Sequence, residues 1–232
     1  MRGTLHVLCA GAVQGLVRAL QASFHEQADA LLEARFGAVG AMKEALMSGA
    51  PCDVLVVTDA MLRALVANGA IDAQPVATIG RVRTSLAVRA GEALPRIYSA
   101  KALNLALLAA PALYVPDIVK STAGAHVASV LDRLGIREAL APRLAIFDNG
   151  ATAMAALAEA GVPGDLGCTQ ISEILYTPGL VPAGALPAPF DLTTVYSAGV
   201  SKTSNDASLA ADFIALLCGA ETAALRKAGG ID

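Results

Sequence analysis

The feature that most constrains this chain is the alternation of short apolar runs with stretches of helical spacing. Leu5–Cys9 is an apolar run, and in Ala12–Phe24 the residues Val13, Leu16, Val17, Leu20 and Phe24 share one helical face. Leu31–Phe36 reads as a second strand and Ala41–Met47 as a short helix. Asp53-Val54-Leu55-Val56-Val57 is a buried strand, and Thr58 is placed to cap a helix over Ala60–Ala67 that stops at Asn68-Gly69. Strands apolar on both faces, with helices between them, predict a mostly parallel sheet covered on both sides.

The texture changes near Gly80. Arg81–Arg89 keeps β character but admits charges, and a turn follows at Gly91–Pro95. A second alternating series then runs: a helix from Lys101, strand Ala112–Val115, helix Ala123–Leu134, strand Leu144–Phe147, helix Ala151–Ala160 and strand Leu166–Cys168. A Pro/Gly-rich stretch, Thr177–Pro189, interrupts it. Thr193–Val200 reads as a returning strand, and Asn205–Cys218 and Glu221–Lys227 as closing helices. Two α/β series joined near 80–85 and again near 195–202 predict two lobes with a double crossover. Residues 1–81 and 200–232 form the first lobe, and 82–199 the second. A ligand is expected in the cleft between them, at carboxyl ends of strands and amino ends of helices.

Composition narrows the function. Over 232 residues the net charge is −3, and no Lys/Arg cluster occurs. Nucleic acid is therefore not an expected partner, because neutralising phosphates needs a basic stripe. No apolar run reaches membrane-spanning length, so no membrane insertion is expected. Cys9, Cys52, Cys168 and Cys218 with His6, His25 and His126 make no metal-ligand spacing, and no metal or cofactor is called for. Oligomeric state is not readable. Met1-Arg2-Gly3 leads straight into a strand, without the pattern of a secretory leader. The expectation is a cytoplasmic protein if Met1 is the native start, and a periplasmic one if a leader was removed.

Five turns are candidates for binding a small anion, because first-turn amides lack internal partners and the helix dipole is positive there. The strongest is Pro116–His126, where Lys120 adds a charge and Ser121 and Thr122 add hydroxyls. Read blandly, it is a Ser/Thr cap beside an exposed lysine. Gly11, Ala12 and Gln14 follow the first strand. Ala38 and Val39 sit in the turn Phe36–Met42. Asn149 lies in Asp148-Asn149-Gly150, and Thr169 and Gln170 close Gly167-Cys168-Thr169-Gln170. Arg81 and Arg83 alternate on one strand and so share a face suited to bidentate carboxylate recognition, or to plain solvation.

The order of these turns resembles the molybdate-binding type of ABC-transporter solute-binding protein, within the type II periplasmic-binding fold. The matching stretches are Leu8–Leu16, Phe36-Gly37-Ala38-Val39-Gly40 and Gly49-Ala50-Pro51-Cys52-Asp53-Val54 leading to Thr58-Asp59. They continue with Ser121-Thr122-Ala123-Gly124 before a helix ending at Leu134-Gly135-Ile136, and with Lys202–Cys218. The resemblance implies a two-lobed α/β fold, each lobe a mixed, mostly parallel sheet flanked by helices. Its oxyanion binders carry a serine in the first turn, where this chain has Gly11-Ala12. They carry another at Val39 and a tyrosine near Cys168–Gln170. Those three hydroxyls are absent here, so molybdate, tungstate and sulfate are expected to bind poorly.

The chain is also similar to a divergent branch of this fold that includes aconitate isomerase. The elements that suggest it are Ser121, Gly124 and His126 in Ser-x-x-Gly-x-His, and Gly167-Cys168-Thr169-Gln170. The expected ligand is a small di- or tricarboxylate. Two readings follow. As an isomerase, the chain would need a base, with His126, Asp59 and a Cys168 thiolate as candidates. As a solute-binding protein, it would deliver an organic anion or oxyanion to an ABC permease, provided it is exported.

Overall fold

The computed structural model describes residues 3–232. In chain order the elements are β1 (Gly3–Ala10), α1 (Gly11–Ala28), β2 (Ala30–Gly37), α2 (Val39–Met47), β3 (Val54–Thr58), α3 (Asp59–Ala67) and β4 (Ile71–Arg89). They continue with α4 (Ala100–Ala109), β5 (Leu113–Pro116), α5 (Thr122–Arg133), α6 (Arg137–Leu140), β6 (Leu144–Phe147), α7 (Gly150–Glu159), β7 (Leu166–Gln170) and α8 (Ile171–Leu175). The chain closes with β8 (Leu180–Ala185), β9 (Thr193–Ser201), α9 (Ala207–Cys218) and α10 (Ala223–Ala228).

The chain forms two compact units. The first holds residues up to Val82 together with Thr194–Asp232, and the second holds Arg83–Thr193. In the first, strands lie in the order β2-β1-β3-β9-β4. β1 pairs in parallel with β2 and with β3, and β9 runs antiparallel to β3. In the second the order is β6-β5-β7-β4, with β8 on the other side of β4. β5 pairs in parallel with β6 and β7, while β4 is antiparallel to both β7 and β8. Each unit is thus a mixed sheet; the expected parallel majority does not hold in the second, where two pairings are parallel and two antiparallel because β4 and β8 return beside the parallel strands.

Apolar surface on both faces explains the layers. In the second unit Leu86, Leu113, Val115 and Cys168 pack with Leu103, Val127 and Leu131 of α4 and α5 on one face. Ala87 packs with Met154, Leu157 and Ile174 of α7 and α8 on the other. Each such side chain contributes roughly 1.5–3 kcal/mol on leaving water. In the first unit Phe24 of α1 meets Phe213 of α9 edge-on, with ring centroids 5.0 Å apart. Among the described residues no single helix is long and apolar enough to cross a membrane.

The Gly-Ala-Pro-x-Asp-Val segment owes its acid to structure. Asp53 is buried; its Oδ2 accepts from the His6 amide (2.8 Å), and its Oδ1 from Ser204 Oγ (2.8 Å) and the Asn205 amide (3.0 Å). Those bonds tie the start of β3 to β1 and to the chain beyond β9. A buried carboxylate with each oxygen paired is a satisfied core group.

Three segments depart from the expected pattern. β4 begins at Ile71, well before the β run expected at Arg81. The Pro/Gly-rich stretch holds a strand, β8, which pairs with β4 alone. As an edge strand it tolerates Pro182, whose missing N–H leaves no gap in a ladder on its open side. β7 extends to Gln170, so Thr169 and Gln170 belong to the strand rather than to a turn.

Candidate functional site

Because β1, β2 and β3 are parallel, their carboxyl ends share one edge of the first sheet, and each leads directly into a helix. α1, α2 and α3 therefore present their amino ends together. The same logic gathers α5, α7 and α8 at the carboxyl ends of β5, β6 and β7 in the second unit. Each gathering concentrates first-turn amides and positive dipole ends.

The two gatherings are built differently. In the first unit the caps of α1 and α2 are Ala10 and Ala38, neither with a side-chain cap bond. Gly11, Ala12, Ala38 and Val39 are all buried. They bring small or apolar surface and backbone, and no hydroxyl. Gln14 is half-buried; in the amide orientation that satisfies both groups its oxygen accepts from Arg18 Nε and Nη2 at 3.1 and 3.2 Å. Its Nε2 remains a donor. Of α1, α2 and α3, α3 alone is capped by a side chain, Thr58 Oγ1 accepting from the Met61 amide at 3.4 Å.

In the second unit Ser121 caps α5, its Oγ accepting from the Gly124 amide at 3.4 Å. Asn149 forms a capping box with Thr152 at α7. A capping oxygen accepts, so the Ser121 hydroxyl hydrogen and the Asn149 Nδ2 can still donate outward. Thr122 is half-buried beside Ser121, and Lys120 is exposed. Asp117 shapes this turn: its Oδ1 accepts from the Val119 and Lys120 amides at 2.7 and 2.8 Å. Those bonds hold the Asp117 carboxyl below the usual range. Gly124 is required, since a Cβ there would stand 2.1 Å from the Asp117 carbonyl oxygen.

Thr169 and Gln170 are buried at the end of β7. Thr169 Oγ1 donates to Oε2 of Glu173, a residue the sequence reading did not single out. Glu173 is itself buried, and its carboxyl reaches the first residue of α7: a Cβ on Gly150 would lie 2.0 Å from Oε2. Burial pushes the carboxyl up to about 7, although bonds from Thr169 and from the Gln170 backbone oppose the shift. One local signal was available. Glu173 stands three residues after the cap of α8, where an acid reaches back to the cap's amide.

Arg81 and Arg83 are both exposed on β4, with Val82 buried between them. The three candidate bases fare differently. Cys168 is buried within the core, and desolvation pushes its thiol to about 12. A thiol held neutral in that setting is inert, which removes the thiolate reading. Asp59 accepts from Arg63 Nε at 2.6 Å and from Ser197 Oγ at 2.9 Å. The Arg63 hydrogen bond, chiefly, holds its carboxyl below the usual value, the wrong direction for a base at neutral pH. His126 donates Nε2–H to the Phe190 carbonyl at 2.8 Å, so only Nδ1 is left for other work.

This fold, with helix amino ends gathered at the carboxyl edge of each sheet, is the periplasmic-binding fold of the molybdate-binding type. The family model for bacterial extracellular solute-binding proteins matches residues 5–231, and the chain belongs to that family. Among solved structures, the periplasmic molybdate-binding protein of Azotobacter vinelandii superposes with a TM-score of 0.80 at 20% identity, covering 98% of each chain. The sulfate-binding protein of Mycobacterium tuberculosis gives 0.70 at 18% identity, over 99% of this chain and 86% of that one. PEB3 of Campylobacter jejuni, solved with L-phospholactate, gives 0.67 at 14% identity, over 97% and 98%. No curated protein matches in sequence.

Proposed function

We propose that this solute-binding protein takes a small organic anion, a di- or tricarboxylate, at its helix amino ends. The observation that carries the reading is the make-up of the two gatherings. Alanines at the caps of α1 and α2 supply no hydroxyl to wrap a tetrahedral oxyanion. Ser121, Thr122 and Asn149, with Lys120 nearby and the arginines of β4, offer spread-out donors instead. Spread donors suit an anion whose charges are several bonds apart, since each carboxylate takes its own charge-assisted bonds. The L-phospholactate bound to PEB3 is an organic acid of this kind on a related fold.

Calorimetry is the test. A tricarboxylate such as trans-aconitate is expected to bind with submillimolar affinity, and molybdate weakly. Tight molybdate binding with no carboxylate binding would overturn the reading. The second reading, an oxyanion carrier feeding an ABC permease, draws its support from the molybdate- and sulfate-binding neighbours, and the same titration decides it. The family description, extracellular, fits the periplasmic option for location.

Aconitate-type isomerisation is the finer proposal. It needs a base beside the ligand, and of the three candidates His126 alone keeps a usable nitrogen. Proton NMR of cis- and trans-aconitate in deuterated water checks it. Absence of both interconversion and deuterium incorporation would leave binding as the whole function.

A further inference from the structure

Glu173 is buried at the foot of the second unit's helix amino ends, and the groups that bond its carboxyl are neutral. The main elements packed on α8 are α7, β7 and β8. On α7 the charged residue is Glu159, at the far end of the helix from Gly150. β7 and β8 carry none, and α8 holds only Glu173 itself. β4, whose Ala87 packs on α7 and α8, carries the exposed Arg83 beside the Thr84–Gln170 pair. Just beyond these elements, Asp148 precedes α7 and is exposed. Asp165 precedes β7 at the opposite end of the strand, 3.9 Å from Arg89. The carboxyl is held by neutral donors alone: the Thr169 hydroxyl and the Gln170 backbone. It also sits where a Gly150 side chain would be, against the amino end of α7, so it already occupies part of that helix's positive field.

We propose that Glu173 is a proton-linked specificity element of the anion site: an anion binds at the second unit's helix amino ends with uptake of one proton by the Glu173 carboxylate. The inference rests on the anion reading above. An ionised Glu173 and an incoming anion compete for the same helix dipole, and like charges that close disfavour joint ionisation. Burial pushes the free carboxyl up to about 7, so its proton is exchanged near neutral pH. Solvent supplies the proton; no bond to carbon forms or breaks.

The sign follows from linkage. Above about pH 7 the free carboxyl is ionised, and binding must bring in a proton. Affinity there falls about tenfold per pH unit. Below that value it levels off.

The experiment is calorimetry of trans-aconitate with the full chain, in two buffers of different ionisation enthalpy, on either side of about pH 7. Wild type is expected to take up close to one proton per anion at the higher pH and fewer at the lower. Glu173→Gln, which keeps shape and hydrogen-bonding capacity, is expected to lose the uptake and hold its affinity at high pH. That variant also separates titration of the protein from titration of the ligand. Thr169→Val removes a donor to the carboxylate and is expected to move the inflection to higher pH, which keeps the question decidable if Glu173→Gln fails to fold. Binding with no proton uptake, or with equal uptake in wild type and Glu173→Gln, overturns the role of Glu173 while sparing the anion site. Absence of carboxylate binding at any pH overturns both.

Discussion

In the first unit the residues capping α1 and α2 are alanines; in the second, α5 is capped by serine and α7 by asparagine. Both units use the same parallel-sheet logic to gather three helix amino ends, yet the chemistry they offer differs. Backbone amides and dipoles attract any anion of suitable size. Hydroxyls, an amide, a lysine and a buried acid have direction, charge and a titration, and those properties discriminate. The contrast teaches that one sheet topology can present either bare backbone or polar side chains at its helix ends, and that the ends of α5, α7 and α8 carry most of the polar groups.

The largest expected effect is on stability against pH, and it belongs to the second unit. The folded Glu173 carboxyl, at about 7, lies above its ordinary 4.5. The folded state therefore holds more protons than the unfolded one between those values. The native state is favoured below the ordinary value and loses stability as pH rises through about 7, by about 3 kcal/mol in full. Denaturant titrations across that range should show the slope in wild type and not in Glu173→Gln. Matching slopes would mean the two units do not differ in this way.

Next come glycines at equivalent places, the carboxyl edges of the sheets. Gly150→Ala would drive a Cβ into Glu173 and Thr169, both buried. A loss of about 1–3 kcal/mol is expected. Gly37→Ala in the first unit meets only the end of the Met42 side chain, which can swing aside, so it should cost less than about 1 kcal/mol. Thermal melts of the two variants give the comparison directly, and equal losses would break it.

Affinity should show the same asymmetry on a smaller scale. Lys120→Ala is expected to weaken trans-aconitate binding about tenfold, as loss of a charge-assisted bond does. Gln14→Ala in the first unit should weaken it about twofold to fivefold. Calorimetry ranks them, and a reversed order would move selectivity to the first unit. The caps act on stability with opposite signs. Asn149→Ala should cost about 1 kcal/mol by removing the capping box, and Ala38→Ser should stabilise by up to about that amount in denaturant unfolding.

Much of the fold was legible because its signals are local. β6 falls at Leu144–Phe147, the expected span, and Thr58 and Ser121 cap their helices as their residue types suggest. β8 was not legible, because Pro182 and Gly184 are residues that ordinarily mark loops. Pairing with β4 makes them a strand, with a shift of register at Leu86/Ala87 that no local pattern announces. Cys168 shows the same limit from another side. At a strand end its thiol has two faces open to it, and only the packing of α5 against β7 turns it into the core.

The sequence by itself determined the alternation of strands and helices, hence the parallel strands at the heart of each sheet, hence the gathering of helix amino ends at their carboxyl edges. It also determined that the ends of α1 and α2 carry alanine and glycine and no hydroxyl. The tertiary structure decided which groups are ionised and which are spent. Asp59 is held charged by Arg63, Cys168 is held neutral by the core, and Glu173 is buried against Gly150, which raises its carboxyl. The physical reason is that a side chain's identity is local, whereas its proton affinity depends on water and charges excluded or supplied by segments distant in sequence.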